Sequence, residues 1–142
     1  LMIDLCDLEG GETVLEIGTG SGYVAALLSH LAGMVYTVER FPDLCRSAPI
    51  GRNSLGFENV QCIEGDGFEG YEPGAPYDAI ILSAAPPEVP HTVLSQLKDG
   101  GRVVAPVGKG SQYLVRVQRD GEQFISTTHG GVRFVPMLRG TE

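Results

Sequence analysis

Three acidic side chains and one glycine-rich run are the residues of this sequence that could together bind a small ligand. The run 18–22 reads Gly-Thr-Gly-Ser-Gly and follows a short apolar stretch. Bare backbone can approach a ligand there, because glycine lacks the side chain that would hold the ligand off. Glu16 lies just before the run, Glu39 lies about 20 residues after it, and Asp66 stands between two glycines. We expect these features to form one site if the fold brings them together.

The spacing of the glycines distinguishes between two kinds of ligand. Gly18, Gly20 and Gly22 follow a Gly-x-Gly-x-Gly pattern, and Tyr23 stands where the dinucleotide fingerprint Gly-x-Gly-x-x-Gly has its third glycine. The carboxylate of Glu16 would repel a pyrophosphate but could accept a hydrogen bond from the ammonium of an amino-acid-like ligand. S-adenosylmethionine carries such an ammonium and no phosphate, so the pattern favours it over a nicotinamide dinucleotide.

The other two acidic residues have both a ligand-binding and a purely structural interpretation. Glu39 ends a predicted strand, where a carboxylate can accept hydrogen bonds from both ribose hydroxyls, or can simply be solvated. Asp66 could accept a hydrogen bond from the exocyclic amine of an adenine. It could equally belong to an ordinary turn, because Asp-Gly is a common turn pair. Together with the glycine run, both residues favour an adenosine-containing ligand.

Strands and helices alternate along most of the chain. Apolar runs predict strands over 13–17, 34–38, 60–63, 77–82 and 102–107, and residues 112–118 and 123–128 predict a closing hairpin. Helical periodicity predicts the tail of a helix up to residue 8, a helix over 24–31 and a helix over 89–97. A further helix after Pro42 should kink near Ala48, because Pro49 and Gly51 interrupt it. The expected fold is α/β: a Rossmann-like doubly wound, mostly parallel sheet with a C-terminal antiparallel hairpin, which places the ligand site at the carboxyl ends of the strands.

Composition and charge exclude several other classes of protein. The formal charge of −8 and the pI near 4.8 leave no basic stripe, so we expect neither a nucleic acid nor a membrane as partner. Three widely spaced cysteines, Cys6, Cys45 and Cys62, predict neither a disulfide framework nor a zinc site, and we expect no metal. No apolar run approaches the roughly 20 residues that span a bilayer. We expect a single domain over 1–142, a cytoplasmic location and a monomer.

Several motifs, in order along the chain, resemble those of the protein-L-isoaspartate O-methyltransferases. The run 14–23, Val-Leu-Glu-Ile-Gly-Thr-Gly-Ser-Gly-Tyr, is similar to the first motif of that family. The Ala-Ala-Pro loop at 84–86 and the Arg-Phe-Val-Pro run at 133–136 indicate this family within the class I methyltransferases. The resemblance covers nearly the whole chain, with further similar runs at 65–67, 77–81, 97–102 and 106–108.

The resemblance implies an enzyme that transfers a methyl group from S-adenosylmethionine to a carboxylate of a protein or peptide, above all at L-isoaspartyl residues, as a step of protein repair. It implies cofactor contacts from Glu16, Gly18, Thr19, Gly20, Ser21, Gly22, Tyr23, Glu39, Arg40, Asp66, Gly67 and Ala84. It implies substrate contacts from Ala85, Pro86, Arg133, Val135 and Pro136.

One family motif has no counterpart in residues 1–142. The family carries, upstream of the first helix, a Gln-Thr-Ile-Ser-x-Pro-like motif whose serine lies at the active site, so we expect this chain to lack the N-terminal substrate-binding segment and we assign no catalytic residue. Two alternatives therefore stay open: a related methyltransferase that acts on aspartyl peptides, and a catalytically silent module that binds the cofactor. A nicotinamide-dependent oxidoreductase ranks last because of the glycine spacing.

Overall fold

The computed structural model describes residues 2–18, 23–40 and 58–139. Within these residues, seven strands form one sheet in the order β3-β2-β1-β4-β5-β6-β7. The strands from β1 to β5 pair in parallel, and β6 and β7 pair antiparallel. The predicted Rossmann-like class with a closing hairpin is confirmed. The strands are β1 (Thr13–Ile17), β2 (Met34–Glu39), β3 (Val60–Glu64), β4 (Tyr77–Leu82), β5 (Leu97–Val107), β6 (Gln112–Asp120) and β7 (Gln123–Val132).

Apolar side chains cover both faces of the sheet, as expected for central parallel strands. Leu15 and Ile80 point to one face, where helix α2 (His91–Leu94) adds the buried Val93. Val14 points to the other face, where helix α1 (Tyr23–Leu31) packs. The two cores, one on each side of the sheet, hold the carboxyl ends of β1, β2 and β4 side by side.

The prediction that the chain begins with the tail of a helix up to residue 8 is wrong. In its place the chain forms a turn and a three-residue 3-10 helix, Asp4–Cys6. Two arginine side chains of the sheet donate hydrogen bonds to backbone carbonyls of this stretch: Arg116 Nε donates to the carbonyl of Leu5 at 2.9 Å, and Arg102 donates to the carbonyl of Cys6. These contacts join residues about a hundred positions apart, and local periodicity carries no information on them.

The helix predicted over 89–97 is shorter, because α2 has only four residues and β5 begins at Leu97 rather than at Arg102. The backbone N–H of Tyr77 donates to the carbonyl of Gln96 at 2.9 Å, and the chain therefore pairs with β4 immediately after α2. The hairpin strands also run further than predicted, to 120 and 132. The kinked helix predicted after Pro42 lies outside the described residues.

The cysteines differ from one another. Cys6 is a buried free thiol, and burial raises its pKa to about 12. Cys62 is disulfide-bonded, which the spacing along the sequence did not predict, because spacing does not report on distance in space.

In the described part of the chain, no group of three or more His, Cys, Asp or Glu side chains is placed to hold a metal ion. No helix among the described residues is long and apolar enough to cross a membrane.

Candidate cofactor and substrate site

A cavity of about 480 Å³ opens at the carboxyl ends of β1, β2 and β4. This is the point where the winding of the sheet reverses, since β1 lies between β2 and β4, and open α/β sheets bind their ligands there. The C-terminal segment, residues 135–138, forms another part of the cavity wall. The lining residues are Ile17, Gly18, Val38, Glu39, Arg40, Gly67, Ser83, Ala84, Val135, Pro136, Met137 and Leu138.

Backbone hydrogen bonds fix the start of the glycine run. Gly18 has a φ of 90°, a conformation that side chains rarely adopt, and its N–H donates to the carbonyl of Val38 at 3.0 Å. On the other side, Ser83 N–H donates to the carbonyl of Ile17 at 2.8 Å. The ends of three strands are therefore held together beneath the run. Its next four residues, which are predicted cofactor contacts, lie outside the described residues: Thr19, Gly20, Ser21 and Gly22.

Glu16 lies fully buried directly behind this run. Its two carboxyl oxygens accept hydrogen bonds from neighbouring strands, Oε1 from Thr37 Oγ1 at 2.8 Å and Oε2 from Ser83 Oγ at 3.0 Å. Burial raises the pKa of Glu16 to about 7, and the charge of Glu39 acts in the same direction, against the two hydroxyl donors. A cation beside this carboxyl would favour its ionised form.

Glu39 ends β2 on the cavity wall and is only 4% exposed. A carboxylate in this position can accept two hydrogen bonds from adjacent hydroxyls, as a ribose requires. Arg40 follows it along the same wall.

Asp66 and Gly67 follow β3 and have different roles. Asp66 Oδ1 accepts a hydrogen bond from Phe68 N–H at 2.9 Å and caps the 3-10 helix Gly67–Glu69. Asp66 thus has a role in the turn and does not line the cavity, and its contact with an adenine stays a prediction. Gly67 lines the cavity with bare backbone, where a Cβ atom would lie 3.0 Å from Met137 Cε.

The C-terminal wall is attached to the loop after β4. Ala85 N–H donates to the carbonyl of Val135 at 2.8 Å, and Met137 N–H donates to the carbonyl of Ala85 at 2.9 Å. The side chain of Gln112 holds the same segment, because Nε2 donates to the Phe134 carbonyl at 3.0 Å and Oε1 accepts from the Phe134 N–H at 2.7 Å. Two motifs about 50 residues apart in sequence thereby share one side of the cavity.

Of the thirteen predicted residues that the structure describes, seven line the cavity: Gly18, Glu39, Arg40, Gly67, Ala84, Val135 and Pro136. Ala85 supports the wall through its backbone rather than lining it, whereas Pro86 accepts a hydrogen bond from Gly108 N–H at 3.0 Å. Arg133 and Tyr23 are exposed and do not line the cavity. The sequence analysis missed five lining residues, although each lies within one residue of the end of a strand or follows the Arg-Phe-Val-Pro run: Ile17, Val38, Ser83, Met137 and Leu138.

S-adenosylmethionine fits the residues that are present. The buried carboxyl of Glu16 suits an ammonium, the carboxylate of Glu39 suits a ribose, and apolar side chains such as Val38 and Met137 supply surface for an adenine. Many nucleotide-binding folds have a cavity at the reversal point of a doubly wound sheet, and the acceptors at this cavity favour the Rossmann-like S-adenosylmethionine-dependent methyltransferases among them.

Comparison with known proteins gives the particular family. The model of the protein-L-isoaspartate(D-aspartate) O-methyltransferase family matches residues 1–142. A protein-L-isoaspartate O-methyltransferase of Methanocella arvoryzae is 49% identical over 141 residues, which cover 97% of this chain and 75% of that relative. The chain belongs to this family, whose members are enzymes that use S-adenosylmethionine.

Solved structures agree with the family. A protein-L-isoaspartate O-methyltransferase superimposes with a TM-score of 0.83 at 30% identity, over 95% of this chain. The chain spans 44% of the length of that solved protein. A second structure, described as a putative protein-L-isoaspartate O-methyltransferase from Plasmodium falciparum in complex with S-adenosyl-L-homocysteine, has a TM-score of 0.71 at 20% identity over 96% of this chain and 69% of its own. At that identity it supports the fold alone.

Proposed function

We propose that this chain transfers a methyl group from S-adenosylmethionine to the carboxylate of an L-isoaspartyl residue in a protein or peptide. The observation that carries the proposal is the shared cavity, which is lined both by the acidic end of β2 and by the segment 135–138. The end of β2 has an acceptor that a cofactor needs, and Val135 and Pro136 belong to the family motif that the resemblance assigns to the substrate. The 49% identical relative is a protein-L-isoaspartate O-methyltransferase, which supports the same reaction.

On the cofactor side, each proposed contact has its own chemistry. Glu16 accepts hydrogen bonds from the ammonium of the methionine part, and Glu39 accepts them from the ribose hydroxyls. The backbone of Gly67 on the cavity wall borders the adenine, and the carboxylate of Asp66 beside it accepts a hydrogen bond from the exocyclic amine. The remaining proposed contacts come from Thr19, Gly20, Ser21, Gly22 and Tyr23, and from the cavity residues Gly18, Arg40 and Ala84.

The substrate side combines backbone and apolar surface. Val135 and Pro136 line the cavity and would contact the residue that accepts the methyl group, while Ala85 holds them in place and Pro86 would border the substrate beside it. Arg133 is exposed beside this wall and would contact an acidic group of the substrate from outside the cavity. We expect the protein to act as a cytoplasmic monomer on such substrates.

The reaction requires the carboxylate and the methyl group to be positioned in line, and it does not require a proton transfer. S-adenosylmethionine, when bound, supplies an electrophilic methyl group on a sulfonium. A carboxyl group with a pKa near 4 is already ionised at neutral pH, so no general base is needed to activate it. The residues of this chain contribute by holding the two reactants in line and by excluding water with apolar side chains such as Met137 and Leu138.

Transfer of labelled methyl groups to a matched pair of peptides tests the proposal. The protein should methylate an isoaspartyl peptide and leave its aspartyl counterpart unlabelled. Preference for the aspartyl peptide would identify the related aspartyl methyltransferase. Binding of S-adenosylhomocysteine with no transfer to either peptide would identify a silent cofactor-binding module, and displacement of bound S-adenosylhomocysteine by a nicotinamide dinucleotide would point to an oxidoreductase.

A further inference from the structure

Ser83 is the one described residue that both lines the cavity and donates a side-chain hydrogen bond to Glu16. Its hydroxyl lies 3.0 Å from Glu16 Oε2, and the second donor to this carboxyl, Thr37 Oγ1, is completely buried on β2. Ser83 also directly precedes the Ala-Ala-Pro loop that supports the substrate wall. Ser83 therefore connects Glu16, on the proposed cofactor side, with the loop that supports the proposed substrate side.

We propose that Ser83 is a positioning residue that keeps the buried carboxyl of Glu16 ionised and fixed in place to receive the ammonium of the cofactor. The inference rests on the proposed function, in which Glu16 accepts hydrogen bonds from that ammonium. Ser83 acts through Glu16 and needs no contact of its own with the transferred methyl group.

The electrostatics of Glu16 make a single hydroxyl important. A hydrogen bond donated to a carboxylate favours its ionised form, and burial opposes it. The pKa of Glu16 is raised to about 7, so near neutral pH the carboxyl is divided between its two forms. A small change in its pKa then alters the ionised fraction substantially, whereas the same change at an exposed carboxyl would have no effect at this pH.

The charges around Glu16 are accounted for on both neighbouring strands. On β2 it faces the carboxyl of Glu39, which raises its pKa, and the neutral Thr37. Directly after β4 it faces Ser83, which is also neutral. Among the described side chains that shift the pKa of Glu16, the two hydroxyl donors are those that favour the ionised form, and the ammonium of the cofactor would add a positive charge beside them.

Calorimetric titration with S-adenosylhomocysteine between pH 6 and pH 8.5 tests the role of Ser83. For the unchanged protein, affinity should rise with pH and level off above about 7. In Ser83→Ala, the midpoint of this rise should move up by about one pH unit, because one hydrogen bond to a charged group is lost. The loss of affinity should approach tenfold at pH 6, be about fivefold at pH 7 and become small at pH 8.5.

Two further variants separate positioning from a general loss of structure. Ser83→Thr keeps the hydroxyl and should restore the original pH profile, and Thr37→Val, which removes the second donor, should shift it in the same direction as Ser83→Ala. Ser95→Ala removes an exposed hydroxyl that donates to the Thr92 carbonyl, and it should leave the profile unchanged.

The outcomes that overturn the inference are distinct from those that overturn the proposed function. Equal weakening at every pH in Ser83→Ala, or an unshifted profile, would show that the hydroxyl does not act through Glu16. Absence of S-adenosylhomocysteine binding by the unchanged protein across the whole pH range would reject the cofactor site, and with it the role of Ser83.

Discussion

Gly67 packs so closely on Ile17 that a Cβ atom on the glycine would lie 2.3 Å from the isoleucine Cγ2. On its other side, the same Cβ atom would lie 3.0 Å from Met137 Cε. All three residues line the cavity, and they come from the turn after β3, the end of β1 and the C-terminal segment. Gly67 therefore lets three distant parts of the chain close together around the proposed cofactor.

Substitution of Gly67 by alanine should damage both stability and cofactor binding. Ile17 and Met137 would have to move away, and overpacking of this kind costs about 1–3 kcal/mol of unfolding free energy. Urea unfolding and titration with S-adenosylhomocysteine would measure the two effects. Gly11→Ala is the matched control, since a Cβ atom at Gly11 meets nothing within 4 Å. Equal stability and affinity in the two variants would mean that the close packing at Gly67 is unimportant.

The central strands and the position of the site could be predicted from sequence. The strands β1 and β4 are continuous apolar runs buried on both faces, so their observed bounds coincide with the predicted ones. Because parallel strands place their carboxyl ends at one edge, the glycine run, Glu16 and Glu39 were expected to meet. The structure brings Gly18, Glu16 and Glu39 to the same edge, although Glu16 lies behind the cavity wall.

The sequence could not reveal contacts between distant residues that have no periodic pattern. The role of Asp66 as a cap depends on the backbone of Phe68, and either role of its carboxylate would give the same Gly-Asp-Gly signature. The early start of β5 depends on a hydrogen bond between residues on different elements, Tyr77 and Gln96. The resemblance placed Val135 and Pro136 near the substrate, but it did not show that Gln112 and Ala85 hold them there.

Removal of the Gln112 side chain should loosen the substrate wall. Gln112→Ala deletes both hydrogen bonds to the Phe134 backbone, so the free energy of unfolding should fall by about 1–3 kcal/mol. The segment 135–138 would then be held by the hydrogen bonds of Val135 and Met137 to Ala85, without the support of the neighbouring Phe134. We therefore expect the KM for an isoaspartyl peptide to rise more than the Kd for S-adenosylhomocysteine.

The matched control for this prediction lies on the same strand. Gln118 uses its amide oxygen to accept from Arg116 Nη1 at 2.9 Å and does not line the cavity, so Gln118→Ala should leave the KM unchanged. An unchanged peptide KM in Gln112→Ala would show that the attachment through Ala85 is sufficient by itself.

Replacement of Glu39 by glutamine tests the ribose contact. The amide keeps the shape of the side chain but replaces one acceptor oxygen with a donor, so one of the two proposed hydrogen bonds to the ribose is lost. Hydrogen bonds to charged groups contribute about 1.5–3 kcal/mol, which predicts at least a tenfold higher Kd for S-adenosylhomocysteine. Glu122→Gln, in the exposed turn between β6 and β7, is the control. An equal Kd in both variants would remove Glu39 from the cofactor site.

The raised pKa of Glu16 should also appear in the stability of the protein without ligand. The folded protein holds a proton on Glu16 up to a pH of about 7, whereas the ordinary value of 4.5 applies when the chain is unfolded. Between these values the folded state binds more protons than the unfolded state, so the contribution of Glu16 to stability falls as the pH rises. The total loss is on the order of 3 kcal/mol, complete above pH 7 and absent below pH 4.5.

Urea unfolding of the protein and of Glu16→Gln at several pH values from 4.5 to 8 would measure this effect, because the titrating groups that do not interact with Glu16 cancel in the difference. The glutamine has no proton to lose, so the unfolding free energy of the variant should increase relative to that of the original protein as the pH rises. Glu122→Gln, at an exposed position in the turn between β6 and β7, is the matched control. A constant difference for Glu16→Gln would mean that Glu16 is ionised in the folded protein well below pH 7, and that the two hydroxyls outweigh its burial.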